Sequence, residues 1–196
     1  MFLAKKPSAE VVTRFLASQA HEPFTYSEVG ATKEQPPAGY VLDHNRVCLG
    51  HGAEVYERAI AGLRKWSQFD LGWVQIVPDT TPLEMGNVVA IQARTFGVWS
   101  LSACRVVYLI NEEGRVRKFG FAYGTLTNHV ERGEERFTIE LQEDGSVWYD
   151  ILAFSQPHQL LVRLGYPIAR RLQKRFARES MARMAVAVAR PLGRAS

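Results

Sequence analysis

Apolar residues recur every second position through the middle of the chain and every third or fourth position near its two ends. The 3.6-residue period predicts helix and the two-residue period predicts strand. Residues 8–19 read as a short helix, with Ser8 as its N-cap and Val12, Phe15, Leu16 and Gln19 along one stripe. Residues 24–26 read as a brief extended piece, and the Pro- and Gly-containing run 30–39 as a loop. Residues 40–49 read as a strand. After Gly50-His51-Gly52, a helix to about residue 69 carries Val55, Tyr56, Ala59, Ile60, Leu63 and Trp66 on one stripe. The sharp turn accounts for these two glycines better than an anion cradle does, since the dinucleotide and P-loop patterns are absent.

Strands then follow one another. Residues 72–77 form one, ended by Pro78. Residues 87–96 form the next, which 98–101 continue past Gly97. In 102–110, Cys104, Val106, Tyr108 and Ile110 share a face. A polar turn at 111–114 leads into strands 117–126, 134–141 and 146–154. Short connections make these neighbours antiparallel. Residues 157–189 read as an amphipathic helix, broken or kinked at Gly165-Tyr166-Pro167 because proline removes a backbone donor.

Helices segregated from a run of antiparallel strands make an α+β chain. This element order resembles the helix-grip (START-like) fold, an antiparallel sheet curled around a long C-terminal helix, as in START-type lipid-transfer domains, pollen-allergen-like proteins and polyketide cyclases. A sheet curled around a helix leaves a gap, and a gap that side chains do not fill is a ligand pocket.

The chain of 196 residues is 46% hydrophobic, enough for the core of one domain. Residues 1–25 form a short N-terminal helical extension to it, and 190–196 a frayed basic tail. Two cysteines far apart, Cys48 and Cys104, give neither a disulfide framework nor a zinc pattern, which points to a reducing, cytoplasmic setting. No apolar run is long enough for a signal peptide or a membrane span.

The net charge of +4 is uneven. Residues 163–196 hold nine Arg or Lys against the single Glu179, while the first 162 residues hold fifteen basic against nineteen acidic. The basic C-terminal helix is therefore a candidate contact for an anionic surface. Nucleic acid is disfavoured, because no aromatics interleave with the basic residues and no DNA-binding pattern is present.

Chemically capable side chains concentrate in residues 119–137. Phe119, Phe121 and Tyr123 share one strand face, and Glu135, Phe137, Ile139 and Leu141 share a face of the next strand. Glu135 thus points to the apolar side, where a carboxylate must be paired, hydrated or protonated. A strand end close to the hairpin also reaches water, and Arg132 and Arg136 are nearby partners. His129 lies in the hairpin, with no metal-ligand spacing around it. Catalysis, if present, falls to His129, Glu135 and Tyr123. A small apolar ligand would be walled by Phe121, Tyr123, Phe137, Tyr149 and Trp99, with Glu135 at its polar end. No nucleophile elbow, cofactor motif or metal site is legible. Cys104, in an apolar strand, reads as inert packing.

Several segments resemble the DUF1990 (UPF0548) family: YSEVGAT at 26–32, Gly39-Tyr40, LGHG at 49–52, Trp66, Trp73, FAYGTL at 121–126, His129, GEERF at 133–137, VWYDILAFSQP at 147–157, and Gln173 with Phe176. Thr127-Asn128 departs from the proline or small residues associated with that turn. The resemblance implies a complete single-domain member and brings no reaction, substrate or cofactor.

Overall fold

A computed structural model of the protein describes residues 1–34, 36–157 and 166–189. Strand β1 (Phe2–Leu3) and helix α1 (Ala9–Gln19) come first, then β2 (Val41–His51) and α2 (Ala53–Arg64). The strands β3 (Val74–Val77), β4 (Val88–Thr95), β5 (Val98–Glu112), β6 (Arg117–Thr125), β7 (Glu131–Leu141) and β8 (Ser146–Pro157) follow, and α3 (Tyr166–Ala189) ends the described chain. The strands form one antiparallel sheet in the order β2-β8-β7-β6-β5-β4-β3, with β1 paired to β5. α2 and α3 pack together on one face of this curled sheet, which is the helix-grip arrangement. The stretch expected to kink the last helix falls partly on residues 158–165, and the expected frayed tail on 190–196; both lie outside the described residues.

The main core sits where the sheet meets the helices. Trp66, Phe69, Phe121, Phe137, Tyr149, Leu63 and Met184 are all almost fully buried there. Each such side chain contributes roughly 1.5–3 kcal/mol on burial. The Tyr149 hydroxyl is 2.9 Å from Ser180 Oγ, joining β8 to α3 inside this layer. A smaller cluster lies on the other face, where Val12 and Phe15 of α1 cover Ala90, Leu101 and Ala103. Ser8 caps α1, its side chain accepting from Val11 N at 3.3 Å.

Three local expectations fail, each for a backbone reason. Residues 98–101 do not prolong β4. Phe96 and Gly97 both take positive φ, 52° and 81°, and make a two-residue hairpin, so Thr95 pairs with Val98. Tyr108 does not share a face with Cys104 and Val106. The pairing with β6 shifts between Val106 and Tyr108, and this bulge turns Tyr108 to the outer face. Helix α2 stops at Arg64 rather than near residue 69, because Trp66 adopts a left-handed conformation (φ 55°) that redirects the chain. At the start of α2, Gly52 N–H donates to Gly145 O (2.8 Å), so that donor is spent within the fold.

Candidate functional site

Between the concave face of the sheet and α3 lies a mostly apolar, half-open cavity of about 840 Å³. This is within the range of small-molecule sites, ~300–1,000 Å³. Ile91 and Ala93 of β4, Ile151 of β8, and Leu172, Phe176 and Met181 of α3 supply apolar wall. Polar groups converge on it from β6 and β7. Tyr123 and Glu135 are cross-strand partners, and the Tyr123 hydroxyl donates to Glu135 Oε2 at 2.7 Å. Burial, with Glu131 and Asp43 adding to it, pushes the Glu135 carboxyl up to about 7, although the Tyr123 hydrogen bond pulls the other way. Burial and the adjacent Glu135 push the Tyr123 phenol well up in turn.

A second polar group closes the α3 side. Gln173 Nε2 donates to Glu131 Oε1 (2.7 Å) and to Ser155 Oγ (3.2 Å). Arg170 pairs with both oxygens of Asp43, at 2.7 Å to Oδ1, and donates to Gln173 Oε1 at 2.6 Å. Burial raises the Glu131 carboxyl, partly offset by Gln173 and Arg170. Trp73 donates from Nε1 to Glu179 Oε2 at 2.6 Å, with the Arg175 guanidinium over its ring, fixing another part of the wall.

The opposite face of β7 is also buried, under a clasp formed by residues 26–34. Glu134 is 2% exposed. Its Oε2 accepts from Tyr26 Oη (2.8 Å) and Gly30 N (2.7 Å), and its Oε1 from Thr32 N (3.0 Å) and Thr32 Oγ1. Arg136 NH1 donates to Thr32 O at 2.8 Å, and Tyr108 meets Thr32 Oγ1 at 2.6 Å. Tyr26 lies so close to β6 that a Cβ on Gly124 would stand 2.0 Å from its hydroxyl. The clasp therefore stands behind the strands that carry Tyr123 and Glu135.

The profile described as "Domain of unknown function (DUF1990)" matches residues 25–183, from the clasp through most of α3. The chain belongs to the DUF1990 family. A UPF0548 protein of Dictyostelium discoideum is 37% identical over 96% of each chain, and one of Deinococcus radiodurans is 36% identical over 96% of this chain and 99% of its own. Among solved structures, hypothetical protein jhp0584 from Helicobacter pylori superposes with a TM-score of 0.54 at 10% identity, covering 84% of this chain and 95% of its own. That likeness concerns the fold alone.

In this DUF1990 chain, Tyr123, Glu135 and His129 all line the cavity. Tyr123 and Glu135 touch, whereas His129 Nδ1 lies 3.0 Å from both the N and the O of Glu131 and so is engaged by its own hairpin. Phe121, Phe137 and Tyr149 were expected as walls but are fully buried in the core, outside the lining. They face the correct side, yet other side chains cover them: Trp66 packs on Phe121, and Phe69 and Phe176 on Phe137. Trp99 is on the wrong side altogether. It shares parity with outward Leu101 and lies beneath Lys6 and Arg94.

Glu131, Asp43, Arg170 and Gln173 went unrecognised as site residues. Glu131 has the same parity as Glu135, and the strand begins at Glu131, three residues before the expected start at 134. Gln173 is legible only as family signature, whereas Phe176 also falls on the apolar stripe of the last helix. Asp43 and Arg170 carry no local signal, because the pair spans 127 positions. Among the described residues, no group of three or more His, Cys, Asp or Glu is arranged to hold a metal ion. Cys104 is wholly buried, and burial raises its thiol well above the ordinary value.

Proposed function

We propose that the protein binds a small, largely apolar molecule between its sheet and α3, with the ligand's polar end at Tyr123 and Glu135. The cavity itself carries this reading: a mostly apolar, half-open space with a few converging polar groups. A neutral solvatochromic dye such as Nile red tests it. The wild type should bind the dye with a blue shift. Ala93→Phe, which projects a ring into the cavity, should lose at least tenfold in affinity while keeping its melting temperature within a few degrees. Dye binding unchanged by Ala93→Phe, and no apolar compound in natively purified protein by mass spectrometry, would refute the reading.

A second reading is acid–base chemistry on the bound molecule. It is favoured by a carboxyl raised to about 7 and hydrogen-bonded to a phenol inside the cavity. Glu135 is the proton carrier in this scheme and Tyr123 its modulator, with His129 at the wall. The proposal that α3 meets an anionic surface has less support. Arg170, Arg175 and Arg183 of that helix are paired with Asp43, Glu179 and Asp70 within the chain. No helix among the described residues is long and apolar enough to cross a membrane.

A further inference from the structure

We infer that the ligand of this cavity carries a basic nitrogen, so that the site takes an apolar amine in preference to the alcohol or carboxylic acid of the same skeleton. The inference rests on the reading that the cavity is a ligand site and adds the chemistry of the ligand's polar end.

The argument starts from what surrounds Glu135. Its Oε2 receives the Tyr123 hydroxyl. Its Oε1 takes no hydrogen bond from any described residue, and the side chain lines the cavity. The groups acting on its charge are the Tyr123 hydroxyl and two further acids, Glu131 and Asp43; no cation is among them. The nearby guanidinium, Arg170, forks onto Asp43 and reaches Gln173. Two cations of the lining, Lys174 and Arg178, stand on α3, and neither forms an ion pair with Glu135. His129 is held to the Glu131 backbone.

An enclosed carboxylate without a counter-charge is an unfavourable state, which an ammonium group would relieve by ion pairing and charge-assisted hydrogen bonding. Glu135 lines the space the ligand would occupy, and only its Oε2 is hydrogen-bonded by a described residue. An ammonium beside Glu135 favours its charged form, so the pair holds the carboxylate ionised at neutral pH. A ligand carboxylate placed at Tyr123 and Glu135 would meet Glu135, Glu131 and Asp43, and like charges in a low-dielectric site repel strongly. An alcohol can hydrogen-bond to Glu135 but supplies no charge.

The test uses three ligands with one ten-carbon chain: decylamine, decanol and decanoate. Affinities are measured by calorimetry at pH 7.5 below their micelle concentrations. The amine should bind at least tenfold tighter than the alcohol, and the acid weakest. Glu135→Gln should bring the amine to within about threefold of the alcohol. Tyr123→Phe, which keeps the carboxylate, should retain the amine preference, so the outcome does not hang on one variant folding. Alcohol or acid binding the wild type as tightly as the amine overturns this inference and leaves the ligand-site reading in place. Failure of all three to bind, together with failure of Nile red, overturns both.

Discussion

Glu135→Gln should change how stability responds to pH. The Glu135 carboxyl titrates near 7 in the folded protein against an ordinary value of 4.5. Between those values the unfolded chain has released this proton while the native protein still holds it. The native state binds more protons, so stability falls as pH rises through that window. At about 1.4 kcal/mol per pH unit, the full penalty is about 3 kcal/mol, complete above pH 7 and absent below 4.5. Glutamine is neutral throughout, and its carbonyl can still accept from Tyr123. The variant should therefore match the wild type near pH 4.5 and exceed it by up to about 3 kcal/mol at pH 8. Urea unfolding of both proteins at pH 4.5, 6 and 8 measures the difference directly, and other titrating groups cancel in it. A stability difference constant across the three pH values would refute the raised carboxyl.

The clasp and core give further expectations. Glu134→Ala removes the acceptor of four donors and should cost about 3 kcal/mol, since a hydrogen bond to a charged group contributes roughly 1.5–3 kcal/mol and the clasp can detach to limit the loss; hydrogen exchange of the Thr32 amide should accelerate, and a cost under 1 kcal/mol would count against the clasp. Gly124→Ala sets a methyl group 2.0 Å from the Tyr26 hydroxyl and should destabilise by about 1–3 kcal/mol, an effect that Tyr26→Ala in the same chain should largely absorb in a double-mutant cycle. Tyr149→Phe loses one buried hydrogen bond to Ser180 and should cost about 1 kcal/mol in urea unfolding.

Much of the fold is legible in strand parity. Phe119, Phe121 and Tyr123 do oppose Ile139, Phe137 and Glu135, and the apolar face is the covered one. Parity fails wherever one residue changes the count. The bulge between Val106 and Tyr108 leaves no compositional trace, so Tyr108 is assigned to the wrong face. The turn at Phe96-Gly97 puts positive φ on a phenylalanine, a residue that does not announce a turn, and that error carries Trp99 to the wrong side. Parity also reports side and not depth. Phe121, Phe137 and Tyr149 face the helices as expected, but whether a face meets a cavity or a packed side chain depends on Trp66, Phe69 and Phe176 from distant elements. The role of Glu134 is illegible for a related reason: its partners lie more than a hundred positions away, in a segment that reads only as loop.

Two identical neighbours in the chain, Glu134 and Glu135, thus hold opposite posts, one satisfied by four donors and one short of a partner. Their difference comes from pleat alone. A one-residue slip of this strand would exchange their outlooks, turning Glu134 toward the cavity and Glu135 toward the clasp, whereas a two-residue slip would restore the parity of both. The tolerated changes of register within this strand therefore come in twos.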